Sequence, residues 1–512
     1  MTHPTYTVEI DVDEDGVFAP LIARDVLDVR WRLGMDAPFA DVAPVSWAQV
    51  TLRNPDGRYS PATGVGPVEI GQTLRVSSDD GATVRTHFVG TLTTITPSPG
   101  ADGPRTAVIR AEGPLRALSH NRVRPGAFLD ARADQVVDAV LRQVPFRPRY
   151  LAGVFLVGMP GRAELGLTTT LPNAAQMVRW TLQPGVSRFA FVGDDWEDGV
   201  LALAAIREVV AAERGRLFVD RHGDIVLFNR QEALLRTSAV ATFDGTMSGL
   251  TLTHGADTVS RVGVTMRPRR VGGNDDVLWR LGSSQRLPPQ QEMKFTVRFR
   301  GEAGEQIGAL RVFQPRPVID YTVNAQPDGN GADLTSLFDL DVLESDAASA
   351  RLRIVNLTTT DAYLVAGAVV RGRALYTGDP LTVEATDGLS GTFYGPHEFA
   401  LVLPGLTEIA DADNIARYEL TRRKEPRTHA QALTLRGVAA RAQVLARTLF
   451  DRITIADGGT GQNGDYFIVA EDHQVGGGGV AHTVTWTLEP ANPGAFWLVG
   501  SGRLGADTTL AY

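Results

Sequence analysis

Short runs in which apolar and polar residues alternate cover most of the chain. Thr5–Val12, Ser46–Leu52, Gln72–Ser77, His87–Thr94 and Thr106–Glu112 follow a period of two, and each is bounded by Gly, Pro, Asp or Asn. That period turns one set of side chains to a core and the other to water, so these segments are predicted to be strands joined by tight turns. A helical period replaces it at 133–144, where Val136, Val137, Val140, Leu141 and Val144 line one face and Asp134, Asp138 and Arg142 the other. A second helix is predicted over about 197–213, stopped by Gly215 before a hairpin of 216–220 and 224–230 that turns at His222 and Gly223. From 292 to 376 alternation returns, with loop tips at 328–331 and 358–361, the pattern of an inserted β-sandwich. Helices at about 410–423 and 438–449 and three strands after Asp451 complete a fold that reads as mainly β with a few helices, of the α+β class.

No short tandem repeat recurs, which disfavours solenoids and propellers. A long-range echo does recur. Gly71–Val76, His87–Leu92 and Thr106–Pro114 are matched in order, near the other end, by Asp451–Ile455, Tyr466–Glu471 and His482–Pro490. Each set is a short strand, a strand with an aromatic near its start and a strand ending in proline. Two readings fit: a plain antiparallel meander, or two related β-domains near the two ends of the chain.

Composition narrows the function. The 512 residues carry 43% hydrophobic and 21% charged side chains, enough apolar surface for several cores and, at roughly 150 residues each, three or four domains. Fifty basic against 59 acidic residues give a net charge of -9, which disfavours a surface built to wrap nucleic-acid phosphates. With no cysteine, disulfides, thiol nucleophiles and thiolate metal sites are excluded. The most apolar stretch, Val200–Ala212, is interrupted by Arg207 and Glu208, so no membrane-spanning segment is expected. The start, Met1–Tyr6, lacks the basic and apolar regions of a signal peptide, and the expectation is a chain made in a cytoplasm that does not leave by the secretory route.

Motifs that spell chemistry reduce to turns or lack a partner. Asp11–Gly16 opens like a calcium loop, but its twelfth position is Ile22 and a strand precedes it, so a solvated hairpin turn is the better reading. The loop tips at 328–333 and 457–465 read the same way. Gly500–Gly505 spells GxGxxG with only seven residues after it, too few for the helix that a dinucleotide site needs. Neither lysine, Lys294 or Lys424, follows a glycine, which excludes a P-loop, and His397-Glu398 lacks a second histidine four residues on. The nine histidines are isolated in sequence and read as surface or packing residues. Asn356–Thr358 is a glycosylation sequon by spelling only. Asp194, Asp195, Glu197 and Asp198 flank Trp196 and form either paired carboxylates of a glycan hydrolase or an acidic first turn facing a helix dipole; the helix turn is the preferred reading.

The segment Leu52–Pro61, Leu-Arg-Asn-Pro-Asp-Gly-Arg-Tyr-Ser-Pro, is by itself a strand ending in an Asp-Gly turn. Followed by Gly71–Val76 and Phe88–Leu92, it resembles the N-terminal region of tailed-phage tail-tip or baseplate hub proteins. Ala212–Arg230 resembles their helix-hairpin unit, and Ile453–Ile455 with Tyr466–Val469 their closing strands. The resemblance implies two β-barrel domains similar to the tail-tube subunit and assembly as a homotrimer, so that three chains offer six barrels to a sixfold tube. It also implies a virion tail-tip location, assembly in the host cytoplasm, and a part in opening for DNA ejection. Its partners would be distal-tail or tail-tube protein, tape-measure protein and tip fibre or spike proteins. No catalytic residue, cofactor, metal or stable nucleic-acid binding is expected.

On that reading residues 1–120 and 377–495 are the two barrels, 121–245 the helix-hairpin domain, 246–290 a connecting β segment, 291–376 the inserted sandwich and 496–512 a flexible tail. The candidate subunit contacts are Asn54, Asp56, Gly57, Arg58, Tyr59, Pro61, Gly71, Val76, Asp451 and Ile455. The rival functions are a tail-associated cell-wall glycan hydrolase using the acidic cluster, and a receptor- or glycan-binding module using residues 292–376.

Overall fold

Six strands grow from the alternating N-terminal runs: β1 (Thr5–Asp11), β2 (Val26–Gly34), β3 (Trp47–Arg53), β4 (Thr73–Asp79), β5 (Val84–Ser98) and β6 (Thr106–Glu112). In β3, Ala48, Val50 and Leu52 are buried while their neighbours are partly or fully exposed, the burial that a period of two demands. The strands lie side by side in the order β2-β3-β6-β5-β4-β1, antiparallel throughout. This computed structural model describes residues 4–491 apart from 13–15, 22, 62–67, 101–102, 147–177, 195, 197–198 and 246. The fold is mainly β with a few helices.

The helix-hairpin region follows with α1 (Ala133–Leu141), α2 (Ala202–Glu213), β7 (Arg216–Val219) and β8 (Ile225–Phe228). Val136, Val137, Val140 and Leu141 of α1 are buried, and the Gln135 side chain accepts from the Arg132 N–H at 2.9 Å to cap the helix start. α2 starts at Ala202, later than the acidic run suggests, because Val200 and Leu201 pair as a strand with Arg122 and Val123. It ends at Arg214 in the left-handed region (φ 57°), one residue before Gly215.

Six more strands form a second set: β9 (Ala241–Phe243), β10 (Gly249–His254), β11 (Thr428–Arg436), β12 (Arg452–Asp457), β13 (Gln462–Gly476) and β14 (Ala481–Pro490). Their order is β10-β11-β14-β13-β12-β9, the first set's order repeated strand for strand in chain order. Only the last pair differs: β9 runs parallel to β12, whereas β1 is antiparallel to β4. Residues Asp28–Gly34 of β2 pair with Ala470–Gly476 of β13, which fuses both sets, with the short strand Ala19–Pro20 beside β1, into one 13-stranded sheet. Among the described residues neither set closes into a separate barrel; the strands follow an open path from which β12 and β9 branch at β13.

Between β10 and β11 lies the inserted β region. Gln291–Arg298, Ser349–Asn356 and Leu340–Ser345 form one of its sheets, and Val369–Thr377 is the hub of another. Its pairing begins upstream of 291, where Arg269–Val271 meets Leu375–Thr377, and it has its own core around Leu278, Phe299, Leu352, Ile354 and Val370. Helix α3 (Ile409–Arg423) then packs on the strand Arg261–Met266, and α4 (Gly437–Ala446) joins β11 to β12.

Candidate functional site

The two long central strands, β5 and β13, are each 15 residues and carry matching backbone features. Leu92 donates its N–H to Gln72 O at 2.8 Å and accepts from Gly71 N at 2.9 Å; Ile468 donates to Asp451 O at 3.0 Å and accepts from Phe450 N at 2.6 Å. A bulge follows at once in both, between Leu92 and Thr94 against β6 and between Ile468 and Ala470 against β14. Gly71 and Phe450 both have positive φ, 101° and 63°. Leu92 and Ile468 are therefore equivalent positions of two copies of one six-stranded unit. The echo in the sequence is a structural repeat, but its spelling sets Leu92 against Glu471, three residues out of register.

The seam between the repeats is where β2 meets β13, and it is chemically unusual. Gly34 has φ 92°, and a Cβ there would lie 2.7 Å from the Ala470 Cα and 2.8 Å from Leu449 Cδ2. Trp31 of β2, fully buried, stacks on His473 of β13 with ring centroids 4.6 Å apart. Tyr6 Oη lies 2.6 Å from His482 Nδ1, His482 Nε2 lies 2.9 Å from His473 Nδ1, and His473 Nε2 stands 3.5 Å from Glu471 Oε2. Arg221, at the β7–β8 turn, closes the row with a bidentate pair to Glu471 at 2.8 and 2.6 Å. His87 of β5 flanks Trp31 and bonds Ser78 Oγ at 2.7 Å.

Burial sets the protonation of this cluster. It pushes His87 and His473 below the ordinary imidazole value and His482 down to about 2, the last also through the neighbouring His473 and Arg221. Burial raises the Glu471 carboxyl, but the Arg221 charge and hydrogen bonds outweigh it and hold Glu471 well below the usual carboxylate range. With the rings neutral, one consistent proton order runs from Tyr6 O–H to His482, from His482 to His473 and from His473 toward Glu471. Such a chain fixes side-chain orientation at the seam. Among the described residues no group of His, Asp and Glu forms a metal-binding set.

A second ionic network ties the helix-hairpin region to both repeats. Arg214 meets Asp41 at 3.1 Å and Glu419 at 2.9 Å, and Arg216 meets Asp41 at 3.3 Å and Glu489 at 3.1 Å. Glu419 also pairs with Arg422 and Arg423; despite burial, which raises it, these arginines bring its carboxyl down to about 2. Sequence reading finds neither network, because the partners lie up to 476 residues apart. The local signals are the spacing of His473 and His482, nine residues apart across the β13–β14 hairpin, and that of Glu419 with Arg422 and Arg423 on one helix.

The predicted contact residues fall into two groups. Asn54, Tyr59, Val76 and Ile455 are buried. Asn54 Oδ1 accepts from Tyr59 N at 3.0 Å, its Nδ2 donates to Ser60 Oγ at 2.9 Å, and the Tyr59 hydroxyl donates to Asp25 at 3.0 Å, so this loop is stapled to its own repeat. Gly57 (φ 76°) makes the turn; Gly71 donates its N–H to Leu92 O, and Asp451, the equivalent of Gln72, accepts from Ile468 N. Asp56 and Pro61 are exposed, and Arg58, paired with Asp56, is partly exposed.

Of the acidic cluster, Asp195, Glu197 and Asp198 lie outside the described residues, as do Gly500–Gly505 and the predicted tail. Asp194 is buried and consumed: Arg269 donates to both its oxygens at 3.1 and 3.2 Å and Thr377 Oγ1 adds a bond at 3.1 Å. It ties the helix-hairpin region to the inserted one and is not an exposed acid. Asp11 Oδ2 accepts from Gly16 N at 3.1 Å, as a turn requires. Asn356 is buried and donates to Leu287 and Thr360 carbonyls, so the sequon spelling is structural.

No family model and no curated protein matches the sequence. Among solved structures the chain is similar to a tail protein from Neisseria meningitidis, with 9% identity, 95% of this chain and 97% of that one covered, and a TM-score of 0.49. It is similar to the 43 kDa tail protein of prophage MuSo2 from Shewanella oneidensis, at 9% identity, 95% and 98% coverage and a TM-score of 0.47. An Escherichia coli component of the type VI secretion system is a further likeness, at 10% identity, 95% and 77% coverage and a TM-score of 0.38.

Proposed function

We propose that the chain is a structural hub of a phage tail or a related injection device, in which three copies join six repeats into a ring at the distal end of a sixfold tube. The observation that carries this reading is the internal duplication: two six-stranded units of one strand order, joined edge to edge by β2 and β13. A unit that joins a second unit by a head-to-tail edge leaves one head and one tail free, and such heterologous contacts close into rings when the rotation allows. The Leu52–Pro61 resemblance to tail-tip proteins points to a tail as the setting. The acidic balance suits a channel that releases DNA instead of holding it. Asp56, Arg58 and Pro61 are the surface members of the predicted contacts. Tape-measure, distal-tail and spike proteins are the partners this role requires, and the role needs no catalytic group.

The test is antibody labelling of particles from the producing cells. An antibody against the purified chain is expected to mark one end of the tail; labelling along the shaft, or of no particle, contradicts the proposal.

A further inference from the structure

The seam inside the chain predicts what a seam between chains would look like, and one of its two edges has been altered. At the internal seam the Met35 N–H donates to Val469 O at 2.8 Å. In an antiparallel ladder alternate pairs exchange both bonds, so Leu33 with Glu471, Trp31 with His473 and Val29 with Val475 are the hydrogen-bonded pairs of this register. Glu471, His473 and Val475 thus present their N–H groups to β2.

The equivalence of Leu92 with Ile468 carries these three positions onto Ile95, Pro97 and Pro99 of the first repeat. Two of the three donors are missing, because proline has no N–H. Among the described residues the β5 segment from Thr94 to Ser98 is paired on one side only, with β6, and Pro97 and Pro99 are exposed. The complementary edge is β10, which among the described residues pairs only with β11 and is the equivalent of β2. Leu250 faces Leu433 as Val29 faces Val50, which sets Leu250 opposite Pro99, Leu252 opposite Pro97, Thr253 opposite Thr96 and His254 opposite Ile95 in a neighbouring copy.

We infer that Pro97 and Pro99 blunt the β5 edge so that β10 of a second copy of this chain docks there with an incomplete ladder. The carbonyls of Ile95, Pro97 and Pro99 still accept, but only Ile95 donates. Proline on an exposed edge is a known protection against unwanted strand pairing. The internal seam is full and permanent, while the seam between copies is weak until many copies are held together, as on a growing tail. This rests on the ring reading above and adds to it a control over when the ring closes.

The test uses the full chain, whose lack of cysteine makes engineered thiols unambiguous. Thr96→Cys and Thr253→Cys are placed in separate molecules, mixed under mild oxidation and followed over a range of concentrations, with and without Pro97→Thr and Pro99→Thr. Arg32→Cys with Asp472→Cys, the equivalent pair inside one chain, is the positive control. The proline variants are expected to give the cross-linked species at about a tenfold lower concentration, since each restored bond contributes about 0.5–1.5 kcal/mol and about 1.4 kcal/mol is tenfold. Cross-linking at an unchanged concentration overturns the blunting and leaves the ring standing. Cross-linking in neither background, with the control positive, overturns the ring seam itself and the inference with it. The single variants, at exposed positions except the half-buried Thr253, and far-ultraviolet circular dichroism separate these outcomes from misfolding.

Discussion

Trp31 lies flat on His473, 4.6 Å between ring centroids and 8° between planes, across the seam that joins the two halves of the chain. The stack is the centre of a buried row of polar side chains that crosses the seam between two similar sheets. Hydrophobic burial alone would hold the sheets together; the row also fixes which residue faces which. A seam with a one-residue slip would turn every side chain to the wrong face.

Gly34→Ala tests the backbone of the seam. The residue sits at φ 92° with Ala470 and Leu449 against the position of a Cβ, so the methyl strains the conformation and overlaps its neighbours. A loss of about 2 kcal/mol or more is expected in chemical unfolding. An unchanged unfolding midpoint would show that the seam yields easily.

Arg221→Ala leaves Glu471 charged, buried and unpaired, and a loss of about 3–5 kcal/mol is expected. Replacing both residues together, Arg221→Met with Glu471→Gln, should recover a large part of the loss. A double variant as unstable as Arg221→Ala alone would mean that the loss comes from the missing pair itself and not from a stranded charge.

The histidine row makes the fold sensitive to acid. His87, His473 and His482 have folded values below the unfolded value of 6.5, so the unfolded chain binds their protons first as pH falls. Above that value they contribute nothing to the pH dependence. Below it stability declines by about 1.4 kcal/mol per pH unit for each histidine protonated only in the unfolded chain. The depressed Glu419, folded near 2, adds stability that is present above its unfolded value of 4.5 and lost below it, in the same direction. Urea unfolding at pH 7.5, 6.5 and 5.5 should show a flat upper interval and a falling lower one, and His482→Asn should reduce the fall. A flat response down to pH 5.5 would contradict the buried neutral row.

Asp194→Asn is expected to destabilise by about 3 kcal/mol through the stranded Arg269, and to change no cell-wall lysis because none is expected of the parent chain. Clearing of purified cell wall by the parent that this variant abolishes would restore the hydrolase reading.

The strands and helices were legible where the information is local. Alternation in Ser46–Leu52 and the apolar face of 133–144 are written in consecutive residues, and both elements formed, as Trp47–Arg53 and as a helix that ends at Leu141, three residues early. The start of α2 was not, because the pairing of Val200 with Val123 depends on a segment far upstream. The repeat was visible as an echo, yet its register was hidden: the two bulges and the left-handed Phe450, which aligns with Gly71, leave no mark that spelling alone can align. The seam cluster was the least legible, since His87, Arg221 and His473 become neighbours only when three separate regions fold together. Isolated histidines in a sequence predict packing residues, which these are, but not that they pack on one another.

Class averages of the purified chain, concentrated and lightly cross-linked, test the central claim most directly. The account predicts a ring of six similar lobes with true threefold symmetry, three lobes of it carrying the inserted β region. A closed twofold dimer, or an open filament of any length, would contradict it.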